Sequence, residues 1–356
     1  MGVFYFCFMT DYIIVGSGLA GIAFAETVLS NGRSVLLFDN DSQNSSKVAG
    51  GLYNPVILKR FSKLQQAQEQ LIAMQEFYDN LESKLHTKFN FKLPVLRKFF
   101  SVEEQNNWFI ASDKPGLSEF LSTDLISKKY NGIDSPFGFG EVMQTGYVET
   151  SSLLRKYHDY LRLENLLVTE SFDYNAIEFT QDFIQYKNHQ AKHLIFAEGF
   201  GLHANPFFKH LPLDGTKGEL FIIKAPNLNL DVILNTNVFI LPLGNDLFKV
   251  GATYNWEDKT NNITTEGRNE LVERISEILN CDFEIIEHLA GVRPTVKDRR
   301  PLLGTHPEHP NLHIFNGLGT RGVMLGPFMA KILFDHIENG TPIDRENDIR
   351  RFDKKK

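Results

Sequence analysis

The clearest pattern of hydrophobic positions lies near the start of the chain. Residues 12–15 form a short β-branched and aromatic run, which is typical of a buried parallel strand. A glycine-rich turn follows, and apolar residues then recur at helical spacing over residues 19–29. Residues 34–38 predict a second buried strand, which ends on Asp39. Strand, helix and strand in this order predict a βαβ unit.

The rest of the chain predicts both buried and antiparallel strands. Buried strands are predicted over residues 194–197 and 312–315, and a helix over 328–337 follows the second. The antiparallel pattern predicts a hairpin over residues 176–179 and 183–186, and strands over 219–224, 238–241 and 248–253. Further helices are predicted over residues 65–85, 102–111 and 151–163, and further strands over 95–101 and 166–170.

These elements predict a mixed α/β fold with two domains. Strands of the nucleotide-binding type occur towards both ends, so we expect a discontinuous Rossmann-like domain that carries an inserted antiparallel-β substrate domain. The expected Rossmann-like segments are residues 9–90, 145–205 and 290–345, and the expected substrate-domain segments are 91–144 and 206–289. Residues 1–8 are expected to be an extension, with Met9 as an alternative start, and residues 346–356 a charged, frayed tail.

The glycine-rich turn has the pattern Gly16-x-Gly18-x-x-Gly21. The first glycine permits a tight turn, the second lets the backbone approach a pyrophosphate, and Gly21 lets the helix pack close to the sheet. The amides of Leu19 and Ala20 would open the helix towards the phosphates. Asp39 is predicted to accept hydrogen bonds from ribose hydroxyls, and its charge disfavours a 2′-phosphate. The pattern therefore predicts a dinucleotide site.

Composition narrows the class of protein. Hydrophobic residues make up 42% and charged residues 23% of the 356, as in an ordinary soluble enzyme. The formal net charge of −7 disfavours a protein held on nucleic acid mainly by phosphate contacts. The two cysteines predict a reduced, cytoplasmic setting without a disulfide framework, and no apolar run predicts a membrane span. The eleven histidines show no metal-ligand spacing, so no metal site is predicted.

A small-residue loop over residues 45–52 begins a resemblance to a known family. With this loop and four later segments, the chain resembles the D-amino-acid oxidase-like flavoproteins, which include glycine and sarcosine oxidases. The later segments are a strand ending in Ala-Glu-Gly, two substrate-domain strands, a Gly-Val-Arg-Pro segment and a loop that begins a helix. They occupy residues 194–199, 238–254, 291–304 and 316–327, in the order of the family.

The resemblance implies non-covalently bound FAD and a set of residues around it. Beside the turn and Asp39, the implied FAD-binding residues are Ala49, Gly50, Gly51, Val168, Gly199, Gly317, Gly319, Thr320, Arg321 and Gly322. Amides of residues 317–322, and the charge of Arg321, would stabilise the reduced flavin. Arg293 is implied to hold the substrate carboxylate by a bidentate pair, with a structural ion pair to Asp298 as its alternative role. The implied reaction passes hydride from a C–N carbon to flavin N5, and oxygen or another acceptor reoxidises the flavin.

Two positions depart from the family pattern. Phe239 stands where D-amino-acid oxidases tend to carry a pocket tyrosine, and Tyr254 or Tyr147 is a candidate to replace its hydroxyl. We take Tyr254 as the second candidate catalytic residue. The segment from Tyr53 to Pro55 also differs from the amino-acid oxidases, next to the small-residue loop.

Three functions agree with these residues. The first is an FAD-dependent oxidase or dehydrogenase of a small amine or amino acid, and the net charge of −7 favours it. The second is oxidation of a carboxymethylamino group on a tRNA wobble uridine, since Arg293 would serve that carboxylate equally well. The third is an FAD-binding partner subunit that has lost turnover.

Overall fold

The computed structural model describes residues 9–353, so the predicted extension over residues 1–8 lies outside the described residues. The chain forms two compact units. Unit 1 comprises residues 1–47, 151–215 and 292–356, and unit 2 comprises residues 48–150 and 216–291. Each unit is built from segments that are distant in sequence, as the predicted discontinuous domains require.

The described strands, in chain order, are β1 (Met9–Val15), β2 (Val35–Phe38), β3 (Leu52–Tyr53), β4 (Val56–Ile57), β5 (Ser62–Lys63), β6 (Asn90–Lys92), β7 (Val95–Lys98), β8 (Leu121–Ile126), β9 (Phe139–Val142), β10 (Gly146–Val148), β11 (Leu167–Val168), β12 (Ile177–Phe179), β13 (Ile184–Tyr186), β14 (His189–Phe196), β15 (Leu213–Lys224), β16 (Ile233–Asn235), β17 (Phe239–Gly244), β18 (Leu247–Gly251), β19 (Glu284–Val296), β20 (Leu302–Thr305) and β21 (Leu312–Asn316).

The α-helices are α1 (Leu19–Ser30), α2 (Ser45–Val48), α3 (Ala67–Leu85), α4 (Val102–Ser112), α5 (Thr150–Leu163), α6 (Thr265–Ser276) and α7 (Gly322–Asn339). Short 3₁₀ helices cover Tyr174–Ala176, Gly199–Ala204, Gly319–Arg321 and Ile349–Phe352. The predicted helices over residues 65–85, 102–111 and 151–163 are confirmed to within two residues at each end.

Unit 1 is built on a mainly parallel sheet. Its parallel strands lie side by side in the order β11, β2, β1, β14 and β21, with β1, α1 and β2 forming the predicted βαβ unit. The antiparallel hairpin of β12 and β13 extends from β14, as predicted. Strands β2 and β21 are buried along their whole length, and β1 is buried over residues 12–15. The carboxyl ends of the parallel strands meet at one edge of the sheet, where a doubly wound fold binds its ligand.

Unit 2 contains a mostly antiparallel sheet with strand order β19, β15, β18, β17, β16, β7, β9 and β8. A smaller sheet has the order β3, β10, β6. Residues 48–90, which the sequence analysis grouped with the Rossmann-like segments, lie in unit 2 because β3 and β6 both pair with β10. A large apolar core lies under the main sheet, and Phe221, Ile240 and Leu271 are fully buried in it.

The charged tail does not fray within the described residues. Ile349 and Asp348 are buried, and Arg351 pairs with Asp298 at 2.8 Å. The backbone amide of Leu303 donates to the carbonyl of Asn347, which adds the tail to strand β20. The expectation of a frayed end is therefore wrong up to residue 353, since charge alone did not reveal the apolar anchor of Ile349.

Within residues 9–353, none of the helices is long and apolar enough to cross a membrane. The same part of the chain contains no group of three His, Cys, Asp or Glu residues placed to hold a metal ion.

Candidate functional site

The glycine-rich turn lies at the carboxyl end of β1. A β-carbon on Gly16 would come 2.5 Å from the carbonyl oxygen of Ala197, and Gly16 has φ +97°. A β-carbon on Gly21 would come 1.9 Å from the carbonyl oxygen of Gly16. Side chains are therefore excluded at both positions, and helix α1 lies directly against the strand end, as the motif predicts.

Helix α1 presents its amino end at this turn without a side-chain cap. Gly18 is the N-cap residue, and its missing side chain leaves the first amides of the helix uncapped except where Leu19 N–H donates to Ser46 Oγ at 3.2 Å. Uncapped amides and the positive end of the helix dipole suit a diphosphate. A β-carbon on Gly18 would come 3.1 Å from Ser46 Oγ, so a larger residue would crowd the amino end of the helix.

The carboxylate of Asp39 accepts hydrogen bonds from the glycine-rich turn and from the residues that follow β2. Its Oδ2 accepts hydrogen bonds from Ser17 N–H at 2.5 Å and Ser17 Oγ at 2.7 Å, and its Oδ1 accepts from Asp41 N–H at 2.6 Å. A carboxylate offers about four acceptor sites, so one site remains for a ribose hydroxyl. Val168 lies beside it, since Asp39 N–H donates to the carbonyl of Val168 at 3.1 Å.

His158 completes a chain of contacts with Ser17 and Asp39. Its Nε2 lies 2.8 Å from Ser17 Oγ and 3.0 Å from the carbonyl oxygen of Ser17. Because the Ser17 hydroxyl donates to Asp39, Nε2 must carry the proton and donate to both oxygens of Ser17. This order places serine between the acid and the histidine, so the histidine cannot activate the serine as a nucleophile. These hydrogen bonds instead stabilise the conformation of the glycine-rich turn.

Glu198 is a buried acid that the sequence analysis did not assign. It directly follows Ala197, whose carbonyl faces Gly16, and it accepts hydrogen bonds from Tyr174 and from Asn205 Nδ2, the latter at 2.8 Å. Burial raises its pKa to about 6, while these two donors act in the opposite direction. An acid inside an Ala-x-Gly segment at a strand end is the sequence signal that would have found it.

Gly199 and the loop after β21 are joined by Asn316. Its Nδ2 donates to the carbonyl of Gly199 at 3.0 Å, and its Oδ1 accepts from Gly317 N–H at 2.8 Å. Gly199 and Gly317 both have positive φ, +58° and +74°. The carboxyl ends of β14 and β21 are thus held together, which places these two predicted FAD-binding residues side by side.

The loop over residues 317–322 leads into helix α7. Gly319 has φ +57° and open space around its α-carbon, while Thr320 is exposed. Gly322 is buried against Leu19, where a β-carbon would come 3.1 Å from Leu19 Cδ1. The loop therefore lies next to the start of α1, and the amino ends of the two helices are neighbours.

Arg321 does not point away into solvent, which was the alternative to its predicted role. Its side chain is half-buried, and Nη2 donates to the carbonyl of Arg299 at 3.1 Å. Burial, and then the positive charge of Arg299, lower the pKa of Arg321.

Arg293 lies on β19, half-buried, and precedes an isolated bridge between Thr295 and Leu318. This bridge brings the Gly-Val-Arg-Pro segment alongside the loop over residues 317–322. Asp298, the acid considered as a structural partner for Arg293, is held by Arg351 Nε and Nη2 at 2.8 and 3.3 Å. The fork of Arg351 thus occupies both oxygens of that acid.

In unit 2, the small-residue loop rests on strand β17. The ring of Phe239 is directed end-on at Gly50, where a β-carbon would come 2.7 Å from Cζ. Gly51 has φ +72°, and a β-carbon there would come 1.9 Å from the carbonyl oxygen of Val148. Both glycines are therefore required by packing inside unit 2. That requirement is independent of a ligand.

Lys249 is a second residue that the sequence analysis missed. It lies on β18 with 9% exposure, and its Nζ donates to the carbonyl of Ala49 at 3.2 Å. Burial lowers its pKa, against the attraction of Glu149 and Glu287. A lysine between Phe248 and Val250, in an otherwise apolar strand, was the available signal.

The three tyrosines named in the sequence analysis, of which Tyr254 and Tyr147 were candidates for a pocket hydroxyl, differ in exposure. Tyr254 is 59% exposed and follows β18, in a loop anchored where Lys217 pairs with Asp258 at 2.5 Å. Tyr147 is half-buried and stacks on Phe91 with 5.1 Å between ring centroids. Tyr53 is buried, and burial raises its pKa to about 12. Tyr254 is thus the only exposed residue of these three tyrosines.

Comparison with known proteins shows the family to which the chain belongs. A family model described as FAD dependent oxidoreductase matches residues 11–336. The chain belongs to this family. It is an enzyme with FAD as its cofactor, and the resemblance drawn from the sequence is confirmed.

The individual relatives share low sequence identity with this chain. The glycine oxidase of Bacillus subtilis is 21% identical over 356 residues, which cover 92% of this chain and 93% of that protein. The tRNA 5-methylaminomethyl-2-thiouridine biosynthesis bifunctional protein of Legionella pneumophila is 22% identical, over 90% of this chain and 53% of that protein. The solved structure of glycine oxidase from Geobacillus kaustophilus matches with a TM-score of 0.74 at 18% identity, covering 95% of this chain and 97% of that one. That match shows the shared fold.

The residues of unit 1 fit FAD. The turn admits no β-carbon at Gly16 or Gly21, the N-cap residue Gly18 has no side chain to cap the amides of α1, and Asp39 keeps one acceptor site. These features meet the needs of a diphosphate and a ribose.

Proposed function

We propose that this FAD-dependent oxidoreductase oxidises the C–N bond of a small amine or amino acid. The observation that carries the proposal is the bridge between Thr295 and Leu318. It brings the segment of Arg293, the proposed carboxylate ligand, alongside the loop that leads into α7.

Arg293 would bind and orient the substrate. Its planar guanidinium suits a bidentate pair with a carboxylate, which fixes both the position and the rotation of the substrate. Bound FAD would accept the α-hydrogen as hydride at N5 and later pass the electrons to oxygen or another acceptor. The neutral amine needs orientation more than a protein acid or base in this step, so no catalytic triad is required. The assignment of Tyr254 to the same pocket stays a prediction.

Anaerobic incubation of the holoenzyme with a panel of amines and amino acids tests the proposal. We expect at least one member to bleach the flavin absorbance, and Arg293→Ala to raise the required concentration while FAD stays bound. If no member of the panel bleaches the flavin, the protein is better described as a partner subunit that has lost turnover.

A second candidate substrate is a carboxymethylamino group on a tRNA wobble uridine. Similarity to the tRNA-modifying bifunctional protein over 90% of this chain favours it, although the chain spans about half of that relative. Binding of unmodified tRNA by the holoenzyme at physiological salt would support this candidate. Absence of such binding, together with flavin bleaching by a free amino acid, would remove it.

A further inference from the structure

Helix α5 carries His158 to the glycine-rich turn of unit 1. The Nε2 atom of this histidine lies 2.8 Å from Ser17 Oγ and 3.0 Å from the carbonyl oxygen of Ser17, across 141 positions of the sequence. The preceding residue, Tyr157, is buried, and its hydroxyl donates to Glu26 of α1 at 3.0 Å. This buried hydrogen bond ties α5 to α1, so the packing of two helices holds the imidazole at the turn.

Position 158 lies on the apolar face of α5. Leu154 and Leu161, one helical turn before and after it, are both buried. An aliphatic side chain at position 158 would therefore suit the packing of the helix. It would, however, remove the described N–H donor from both oxygens of Ser17, which is fully buried. The need for a histidine at this position thus comes from the turn and not from the helix.

The Ser17 hydroxyl connects His158 to Asp39. It donates to Asp39 Oδ2 at 2.7 Å, and Ser17 N–H donates to the same oxygen at 2.5 Å. Both acceptor sites of Oδ2 are thus filled, whereas Asp41 N–H takes only one site of Oδ1, at 2.6 Å. Donation by His158 leaves the single hydroxyl proton of Ser17 directed at Asp39, and neighbouring hydrogen bonds in such a series strengthen one another. The acceptor site that remains for a ligand therefore belongs to Oδ1.

We propose that His158 is a positioning residue for FAD: through Ser17, it holds the carboxylate of Asp39 so that Oδ1 accepts a ribose hydroxyl of the cofactor. Rotation of the carboxylate would exchange its two oxygens, and the two hydrogen bonds from Ser17 to Oδ2 oppose that rotation. Loss of the imidazole donor weakens this restraint and leaves buried acceptors unpaired. The proposal rests on the predicted contact of Asp39 with the ribose, and it does not depend on which amine the enzyme oxidises.

Two nucleotides that differ only in their ribose hydroxyls test this role. ADP and 2′,3′-dideoxy-ADP are each titrated into the full-chain apoprotein, prepared from the holoenzyme, and calorimetry gives their dissociation constants. We expect the wild type to bind ADP about tenfold or more tightly than the dideoxy nucleotide, because only ADP can donate a ribose hydroxyl to the carboxylate. His158→Leu should lower this ratio about threefold or more, mainly by weakening the binding of ADP.

Two matched variants identify the interaction responsible. His158→Gln keeps an N–H donor at this position and should retain most of the wild-type ratio. Lys156→Leu introduces the same leucine at an exposed position of α5 and should leave the ratio unchanged. Equal weakening of both nucleotides in His158→Leu would mean that the histidine only stabilises the turn, and the proposal would be wrong. Equal binding of both nucleotides by the wild type would remove the ribose contact of Asp39 and, with it, the proposal.

A second measurement uses the holoenzyme and does not require a stable apoprotein. Release of FAD after dilution is followed by the rise in flavin fluorescence. We expect His158→Leu to release FAD about threefold faster or more, and His158→Gln to release it at close to the wild-type rate. In an Asp39→Asn background, His158→Leu should have little further effect, because the two residues act through one series of hydrogen bonds. Equal acceleration by His158→Leu in both backgrounds would show that the histidine acts independently of Asp39 and would overturn the proposal.

Discussion

The ring of Phe239 is directed end-on at Gly50, and a β-carbon on that glycine would come 2.7 Å from Cζ. The two neighbouring ring carbons would be at 3.2 and 3.4 Å, so the axis of the ring points at the loop. A tyrosine hydroxyl at this position would extend from Cζ directly into the backbone of Gly50. The close packing therefore gives a physical reason for phenylalanine where amino-acid oxidases tend to carry tyrosine.

We predict that Phe239→Tyr destabilises the protein without adding a useful pocket hydroxyl. Overpacking of this kind lowers the free energy of unfolding by about 1 to 3 kcal/mol. Chemical denaturation measures the change, and Phe239→Leu is the control because it shortens the side chain without adding a polar atom. Unchanged stability together with faster amine oxidation in Phe239→Tyr would contradict this account of the packing.

We predict that Gly18→Ala weakens FAD binding while the apoprotein still folds. Gly18 has φ −74°, which alanine adopts freely, but its β-carbon would stand where the diphosphate must approach. The dissociation constant for FAD, measured by fluorescence titration of the apoprotein, should rise by about tenfold or more. The double variant with Ser46→Ala removes the 3.1 Å contact inside the protein, so recovery of affinity in that variant would assign the effect to Ser46 instead.

We predict that Arg293→Lys lowers kcat/KM for the preferred amine about 100-fold and leaves FAD affinity unchanged. A lysine keeps the charge but cannot make the bidentate pair, and the loss corresponds to about 3 kcal/mol. Steady-state kinetics and FAD titration measure the two effects separately. Arg300→Lys, in the neighbouring turn, is the matched control. Equal kinetics for Arg293→Lys and wild type would end the assignment of Arg293.

We predict that Lys249→Met preserves or raises the stability of the protein. A buried ammonium whose described hydrogen bond goes to the carbonyl of Ala49 is expensive to desolvate, and an apolar side chain of similar shape removes that cost. Urea unfolding should show a free energy of unfolding unchanged or higher by up to about 2 kcal/mol. Lys224→Met, at an exposed position on β15, is the control. A large loss of stability in Lys249→Met would mean that the lysine is kept for the fold alone.

We predict that Glu198 makes the protein less stable as the pH rises from about 4.5 to about 6, the range between its ordinary and its raised pKa. In that range the unfolded chain has released the proton of this acid and the folded chain still holds it, so the unfolding free energy falls by up to about 2 kcal/mol. Glu198→Gln should remove this part of the pH dependence, whereas the exposed Glu178→Gln should not. Identical pH profiles for wild type and Glu198→Gln would refute the raised pKa.

Local signals made part of the fold predictable. The βαβ unit is confirmed because a buried strand, a glycine turn and a mostly apolar helix each leave a pattern within a few residues. The position of β14 beside β1 leaves no such pattern, because the paired residues Val15 and Phe196 are 181 positions apart. The docked tail was missed for a similar reason, since Ile349 is one apolar residue in a charged segment.

The candidate site was also predictable from the sequence only in part. The tight turn at Gly16 and the close packing at Gly21 follow from the backbone and were predictable, whereas the partners of Asp39 were not. Its bonds to Ser17, and the contact of His158 with that serine, depend on side-chain directions that no spacing encodes. Lys249 and Glu198 were visible only as charged residues in apolar surroundings, a signal that predicts burial and leaves the partner open.

The pairing order of the sheet in unit 1 also constrains how the protein is made. β1 emerges first from the ribosome, yet its neighbour β14 ends at Phe196 and the next parallel strand, β21, ends at Asn316. One edge of β1 therefore stays unpaired until β14 has been synthesised, which exposes it to wrong partners. Because the loop over residues 317–322 follows β21, the residues there that are predicted to contact the flavin are translated after every strand of the parallel sheet. FAD is thus expected to bind only after β21 and this loop have been synthesised.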